Sequence, residues 1–350
     1  MARIVVAGAG AIGASIAYHL ARRGADGVVL AERGEIAGGA TGRAMGGVRQ
    51  QFTTEAEVRL AQASVRLFRE LGEPLFQQVG YLFLATTGEG LAALEERREL
   101  QAALGVPVER VEPSFVRGLR TDDVLGAVIC REDGIADPAG VTRELVRRAA
   151  SHGVQVLERT DALGVQAETL VVACGADSPG VAAARGVELP VRPLVRQLAD
   201  VGPVESLPPD LPMTIEEGGF HFRPVGADVL RLAMTEPELR WDGPAEVRGD
   251  LVEDWRARLA HRWPAAAGAP LLRAWAGYYD MTPDAHPIIG DVEQGLYVAC
   301  GFSGHGFMQA PAVGAGVAAE LLGEAPAFDL SHYRLERFAG DELFPETLVL

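Results

Sequence analysis

The sequence predicts a mixed α/β fold of two domains, and three observations predict it. An apolar strand at residues 3–7 runs directly into a glycine-rich turn and a helix. A second glycine-rich turn at residues 301–308 leads to a helix opened by Pro311. The stretches between carry alternating, proline-punctuated runs suited to a sheet that is wet on one side. At 350 residues the chain exceeds one typical core, so two domains or one interleaved pair is expected.

The first element is the strand Arg3-Ile4-Val5-Val6-Ala7. Gly8-Ala9-Gly10-Ala11-Ile12-Gly13 follows, then a helix with Ile12, Ile16, Ala17 and Leu20 at helical spacing, which Gly24 is placed to end. A second strand at residues 28–31 delivers Glu32, 19 residues past Gly13, followed by Arg33. These are the parts of a Rossmann-type dinucleotide site. Gly8 permits the tight turn, Gly10 lets the backbone approach a pyrophosphate, and Gly13 allows close helix–strand packing. The helix N-terminus then faces the phosphates, and the Glu32 carboxylate accepts hydrogen bonds from ribose hydroxyls. This site alone does not decide between NAD and FAD.

The next segment bears on that choice. Gly38-Gly39-Ala40-Thr41-Gly42-Arg43-Ala44-Met45-Gly46-Gly47-Val48-Arg49 holds five glycines in a dozen residues. Such a run makes neither a stable helix nor a strand, but it can lay backbone amides along an extended ligand. A nicotinamide dehydrogenase would continue here into its next βα unit, so a flavin-cradling loop is expected. Near the C-terminus, residues 275–290 precede a strand at 295–300 and the turn Gly301-Phe302-Ser303-Gly304-His305-Gly306-Phe307-Met308. A glycine-rich turn entering a helix aims N–H groups at an electron-rich acceptor, such as a flavin edge that gains charge on reduction.

Bulk composition excludes several classes. A formal net charge of −16 argues against nucleic acid. No apolar run approaches the roughly 20 residues of a membrane helix, and the early strand leaves no room for a signal peptide, so a cytoplasmic protein is expected. Three cysteines without a C-x-x-C, and seven scattered histidines, offer no metal spacing. The sequence contains no lysine and no asparagine. That removes Schiff-base chemistry on pyridoxal phosphate and the P-loop lysine of nucleotide hydrolases.

Together GAGAIG, GATGRAMGGVRQQF, LVVACGADS, MTPDAHPIIG and GFSGHGFMQAP resemble the D-amino-acid oxidase/glycine oxidase/sarcosine oxidase superfamily, nearest in wording to the FAD subunits of sarcosine oxidase and proline dehydrogenase. The resemblance implies a glutathione-reductase-like FAD-binding Rossmann domain from residues 1–75, 135–190 and 271–350. It implies a mostly antiparallel β-sheet substrate domain from residues 76–134 and 191–270. It also places Ala173, Cys174, Gly175 and Gly277 against the cofactor, beside the two glycine-rich turns. The implied reaction oxidises the C–N bond of a small amino acid or N-alkyl amino acid (sarcosine, glycine, proline or D-amino-acid type). A hydride passes to flavin N5 and water hydrolyses the resulting imine, with O2 or a quinone or dye taking the electrons onward.

The chain departs from the family pattern at several points. The hairpin usual before the A-x-G motif looks truncated, leaving Leu163 as the guess for the adenine wall. No cysteine stands near Gly277, so the flavin is expected to be non-covalent. Tyr279 stands where relatives carry a carboxylate-binding arginine, and Met308 where others carry a lysine. Arg49 is then the first candidate anchor, with a flavin or backbone contact as its other reading. Arg223 is second, with a surface salt bridge as its alternative. Arg231 is the nearest counterpart to an oxygen-activating lysine, which tilts the reading toward a dehydrogenase. His305 is expected to stabilise the flavin or its turn, and His286 to be structural. Tyr278, Tyr279, Tyr81 and His221 are candidates to line the substrate pocket. Rival readings are an FAD subunit passing electrons to a partner, a pyridine-nucleotide dehydrogenase, and a non-catalytic nucleotide-binding module.

Overall fold

A computed structural model describes residues 2–340 together with 343, 345, 346 and 348. The chain begins β1 (Ala2–Ala7), α1 (Ala11–Arg22) and β2 (Val28–Ala31). After the glycine-rich loop come β3 (Gly47–Val48), α2 (Glu55–Leu71), β4 (Phe76–Gln77), β5 (Tyr81–Ala85), α3 (Gly88–Ala103) and β6 (Val108–Val111). Then β7 (Gly126–Cys130) and β8 (Gly134–Ala136) lead to α4 (Pro138–Ser151), β9 (Gln155–Leu157), β10 (Ala167–Val172) and α5 (Ser178–Ala183). A run of strands follows: β11 (Arg192–Val201), β12 (Met213–Glu216), β13 (His221–Val225) and β14 (Val229–Ala233). The chain closes with α6 (Gly249–Arg262), β15 (Leu271–Met281), β16 (Ile288–Glu293), β17 (Leu296–Cys300) and α7 (Gly306–Leu321).

Three sheets result. The first has the order β16-β17-β10-β1-β2-β9, parallel throughout except for the β16–β17 hairpin. Its central strands are apolar without alternation because helices cover a face of it: α1 packs on α4 and α7, burying Ile12, Ile16, Ala17 and Leu20. The chain leaves β1 to pair β2 on one side and β10 on the other. That is a topological switch point, where ligands bind beyond the carboxyl ends of the strands. The second sheet runs β15-β11-β14-β13-β12-β5-β7-β6 and is antiparallel except between β5 and β12. A small third sheet, β3-β8-β4, brings the end of the glycine-rich loop under the second. No helix among the described residues is long and apolar enough to cross a membrane.

The structure differs in detail from the expectations at three places. Residues 271–281, grouped above with the nucleotide-binding segments, form β15, which pairs along β11 in the eight-stranded sheet. The final helix starts at Gly306 rather than Pro311. Gly301, Ser303 and Gly304 all take positive φ, so the reversal is complete before Gly306 and the helix begins at once. Pro311 then costs one backbone bond close to the helix start, where few are yet made. The stretches read as sheet also hold two helices. Thr87 caps α3 by accepting from Gly90 N, and α6 buries Leu251, Val252, Trp255 and Leu259. Between β9 and β10 only a short helical turn at Ala162–Gly164 intervenes.

Candidate active site

A cavity of about 720 Å³ opens beyond the carboxyl ends of β1, β2 and β10. Gly8 (φ +96°) turns the chain there, and a Cβ on it would lie 2.5 Å from Ala173 O. A Cβ on Gly13 would overlap Gly8 O outright. On Gly10 a Cβ would meet only Thr41 Oγ1, at 3.2 Å, so that residue's outward side is open to the cavity. Thr41 Oγ1 also accepts from Ala11 N (3.1 Å), one of the orphan donors at the start of α1. The Glu32 carboxylate accepts from Ala9 N (2.8 Å) and Gly34 N (2.7 Å), with lone pairs remaining for hydroxyl donors. Arg33 pairs with Asp177 (2.8 Å) across the mouth, and Leu163, 43% exposed, walls this end. The short turn at Ala162–Gly164 thus stands where a longer hairpin would be.

The glycine-rich loop runs along the cavity through Ala40, Thr41, Arg43, Ala44 and Met45. Arg43 staples it, donating to Gly38 O (2.7 Å) and Gly39 O (3.0 Å) while its own carbonyl accepts from Trp275 Nε1 (3.0 Å). The second glycine-rich turn closes the same cavity at its other end. Asp280 holds it: the carboxylate accepts from Gly301 N (2.7 Å) and the carbonyl from Ser303 N (3.1 Å). Burial lifts the Asp280 carboxyl to about 6. The Tyr279 ring lies flush on Gly304, where any Cβ would collide with it. Gly306 and Phe307 then aim the uncapped N-terminus of α7 inward. Ala9, Gly13, Gly42, Gly46, Gly47, Val48, Gly301, Ser303, His305 and Met308 shape these turns without lining the cavity. The other residues assigned above to the cofactor, including Ala173, Cys174, Gly175 and Gly277, line it.

The arginines singled out from sequence are committed elsewhere. Arg49 is buried behind the cavity, donating to Gln51 O and Leu348 O (2.8 Å) and lying 4.0 Å over the Phe52 ring. Arg223 donates to Met45 O (2.6 Å) and Pro224 O (2.9 Å), so it secures the glycine-rich loop. Arg231 grips Asp200 with two bonds (2.8 and 3.0 Å) and stacks on Trp275. None of the three lines the cavity. His305, too, points inward: its Nε2 is 3.4 Å from Arg49 Nη2 and its ring meets Phe52 edge-on. His286 Nδ1 is 2.9 Å from Glu57 Oε1, away from the site, and Tyr81 packs under Gly47.

Among the residues that face the cavity from the eight-stranded sheet are Arg196 on β11, His221 on β13, and Tyr278 and Tyr279 on β15. His221 Nδ1–H donates to Gly219 O (2.8 Å), which leaves Nε2 as an acceptor. Burial holds this imidazole down to about 4, so it is neutral at physiological pH. The Arg196 guanidinium carbon lies 5.6 Å from the Tyr279 ring centre, and its Nε and Nη1 have no hydrogen-bond partner among the described residues. Sequence reading missed Arg196, which shares β11 with Arg192, Gln197 and Asp200, so no local signal set it apart.

One cavity walled by both glycine-rich turns is the cradle expected for FAD. Gly10 bares the α1 amides at one end, which the sequence assigns to a diphosphate, and the α7 N-terminus stands at the other, which the sequence assigns to the redox ring. The FAD-dependent oxidoreductase family model, DAO, matches residues 3–320. The chain is 28% identical to FAD-dependent oxidoreductase domain-containing protein 1 of Xenopus laevis, over 97% of this chain and 83% of that protein. It is 27% identical to sarcosine oxidase subunit beta of an Arthrobacter species, over 98% of this chain and 92% of that one. Among solved structures, L-proline dehydrogenase from P. horikoshii superposes with a TM-score of 0.91 at 30% identity, covering 98% of this chain and 99% of that one. The chain therefore belongs to the DAO family of FAD-dependent oxidoreductases, and its cofactor is FAD.

Proposed function

We propose that the protein oxidises the C–N bond of a small amino acid or N-alkyl amino acid, taking the neutral amine as substrate. The observation that carries this is His221: an imidazole whose proton is fixed on the far nitrogen, leaving a lone pair turned into the cavity that the α7 turn closes. An amine N–H is the donor that fits it. Tyr279, laid across Gly304, supplies an aromatic face beside the turn on which an alkyl group can rest. FAD, when bound, supplies the two-electron acceptor for the hydrogen on the carbon next to nitrogen. The similarity to sarcosine oxidase subunit beta and L-proline dehydrogenase supports this substrate class. The decisive test is anaerobic mixing of the yellow protein with sarcosine, glycine, L- and D-proline and a D-amino-acid panel. Bleaching of the flavin band by at least one of these is expected; a band that no amine or amino acid touches removes the proposal.

The pH dependence follows from the same histidine. With its pKa near 4, His221 carries no proton to lose anywhere above pH 5 or so. The fall of kcat/KM toward low pH then tracks protonation of the substrate amine, because only the neutral amine donates to Nε2 without a clash of charge with Arg196. Two substrates whose amine pKa values differ by about one unit should show limbs displaced by about one unit. A limb that stays put when the substrate changes would instead belong to the enzyme.

A second reading makes the chain an FAD subunit that hands electrons to a partner, favoured by its resemblance to a sarcosine oxidase subunit. The sequence has no lysine to place near the flavin, and Arg231 is locked on Asp200. Reoxidation by a quinone or dye is therefore expected to outpace reoxidation by O2. Stopped-flow reoxidation of the reduced protein, alone and with each acceptor, checks this.

A further inference from the structure

We infer that Arg196 is the carboxylate anchor, so that the substrate is an amino acid rather than a simple amine; the inference rests on the amine-oxidising reading of this cavity. The other arginines around the cavity have their guanidinium groups engaged, with one buried nitrogen left over on Arg49, which does not line the cavity. Arg43 holds two loop carbonyls, Arg33 pairs with Asp177, Arg231 and Arg273 share Asp200, and Arg223 and Arg49 bind backbone oxygens. The acid near enough to influence Arg196 is Glu236, and both oxygens of Glu236 are taken by Arg240 (2.7 and 2.8 Å). Among the described residues Arg196 is left as a half-buried cation with two enclosed nitrogens unpaired.

Such a group is costly to keep without a counter-charge, and buried polar groups are otherwise almost always satisfied. Removal from water draws its pKa down, the neighbouring Arg240 charge adds to this, and Tyr279 and Glu236 pull the other way. A planar guanidinium matches a carboxylate through two parallel hydrogen bonds, which an isolated amine cannot provide. Register fixes where the anchor stands. Arg196 is opposite Gly277 on β15, two residues from Tyr279, and its charge reaches His221 on β13. Three strands of one sheet therefore present a carboxylate site, an aromatic face and an amine acceptor to a single cavity. This is the functional-group set of an α-amino acid.

The test uses two carboxylates that lack an oxidisable amine, L-tetrahydro-2-furoate and (methylthio)acetate. Each is titrated into the FAD-loaded protein while the flavin spectrum is followed. Arg196→Met should weaken whichever probe binds the wild type on the order of 100-fold, and Arg196→Lys, which keeps charge without the planar fork, roughly tenfold. The preference for L-proline over pyrrolidine, or sarcosine over dimethylamine, should fall by a similar factor. Arg196→Met should also melt no lower than the wild type, since it removes an unpaired charge; a merely structural arginine would lower the melting point. Unchanged probe affinity in both variants overturns the assignment. So does a wild type that is bleached by amines yet binds neither probe, an outcome that leaves the amine reading standing. Spectral shifts lost in Arg196→Met, with no amine bleaching the flavin, would keep the carboxylate site and sink the amine reading instead.

Discussion

Gly13→Ala is expected to give a colourless protein. A Cβ at this position would fall far inside 3.0 Å of Gly8 O, a separation that real Cβ atoms essentially never show. The obstacle is backbone, and it cannot yield. Gly8 N donates to Ala31 O (2.8 Å), and its own Cβ direction already abuts Ala173 O. Relief has to come from α1 lifting off β1. That helix is also wedged from behind, where Gly314 of α7 sits on Ser15 closely enough to exclude a side chain. Overpacking of this kind costs about 1–3 kcal/mol, and more where neither partner can relax. The displacement withdraws the α1 amides from the diphosphate position, so FAD affinity should fall by at least about 100-fold, equivalent to about 2.7 kcal/mol. Gly10→Ala is the informative control. It meets only Thr41 Oγ1 at 3.2 Å, so the FAD-free protein should melt near the wild type while still losing FAD. The ratio of flavin to protein absorbance and a flavin-quenching titration give both answers. A yellow, fully loaded Gly13→Ala protein would contradict the packing described.

The contrast between these glycines also shows what a sequence displays and what it conceals. Gly8, Gly10, Gly13 and Glu32 were legible because their roles are local. The spacing of one strand, one turn and one helix fixes their positions, and Gly8, Gly10 and Glu32 line the cavity with Gly13 packed on Gly8 behind it. That both glycine-rich turns serve one cavity was legible for a similar reason, since each has its own backbone signature. Side chains that reach the site across strands were harder. Arg49 and Arg196 each stand between valine and glutamine, alike in sequence, and only the tertiary fold turns the first toward Leu348 and the second toward Tyr279. The start of α7 was displaced by giving Pro311 the role of a first-turn proline, when the positive-φ residues before Gly306 had already set the start. Missing α3 and α6 has the opposite cause. Their apolar faces are narrow and the surrounding strands dominate the pattern, so helical period is visible only once the sheet is known.

Glu57 joins several distant parts of the chain, and its removal should have the largest effect on stability. Thr54-Glu55-Ala56-Glu57 reads as a capping box, in which the glutamate turns back to the first residue of its own helix. Thr54 does cap α2, with Oγ1 accepting from Glu57 N (3.4 Å). The Glu57 carboxylate, however, turns into the interior and is fully buried. There it takes His286 Nδ1 (2.9 Å), Tyr333 OH (3.2 Å) and Gln309 Nε2. One carboxylate thus joins α2, the segment before β16, the first turn of α7 and the C-terminal region. Glu57→Leu deletes the shared acceptor and strands three buried donors, each costing about 1–3 kcal/mol when unmet. A net loss of about 3–5 kcal/mol is expected, which lowers Tm on the order of 10 °C. The damage should reach the cofactor, because Gln309 is the fourth residue of the helix whose N-terminus closes the cavity. FAD affinity should therefore fall together with Tm, although Glu57 does not line the cavity. Melting curves of the FAD-free and FAD-loaded forms separate the two effects. If Glu57→Leu melts with the wild type, the buried cluster is not what holds α7 in place, and the ring end of the cavity must be positioned by the Asp280 turn alone.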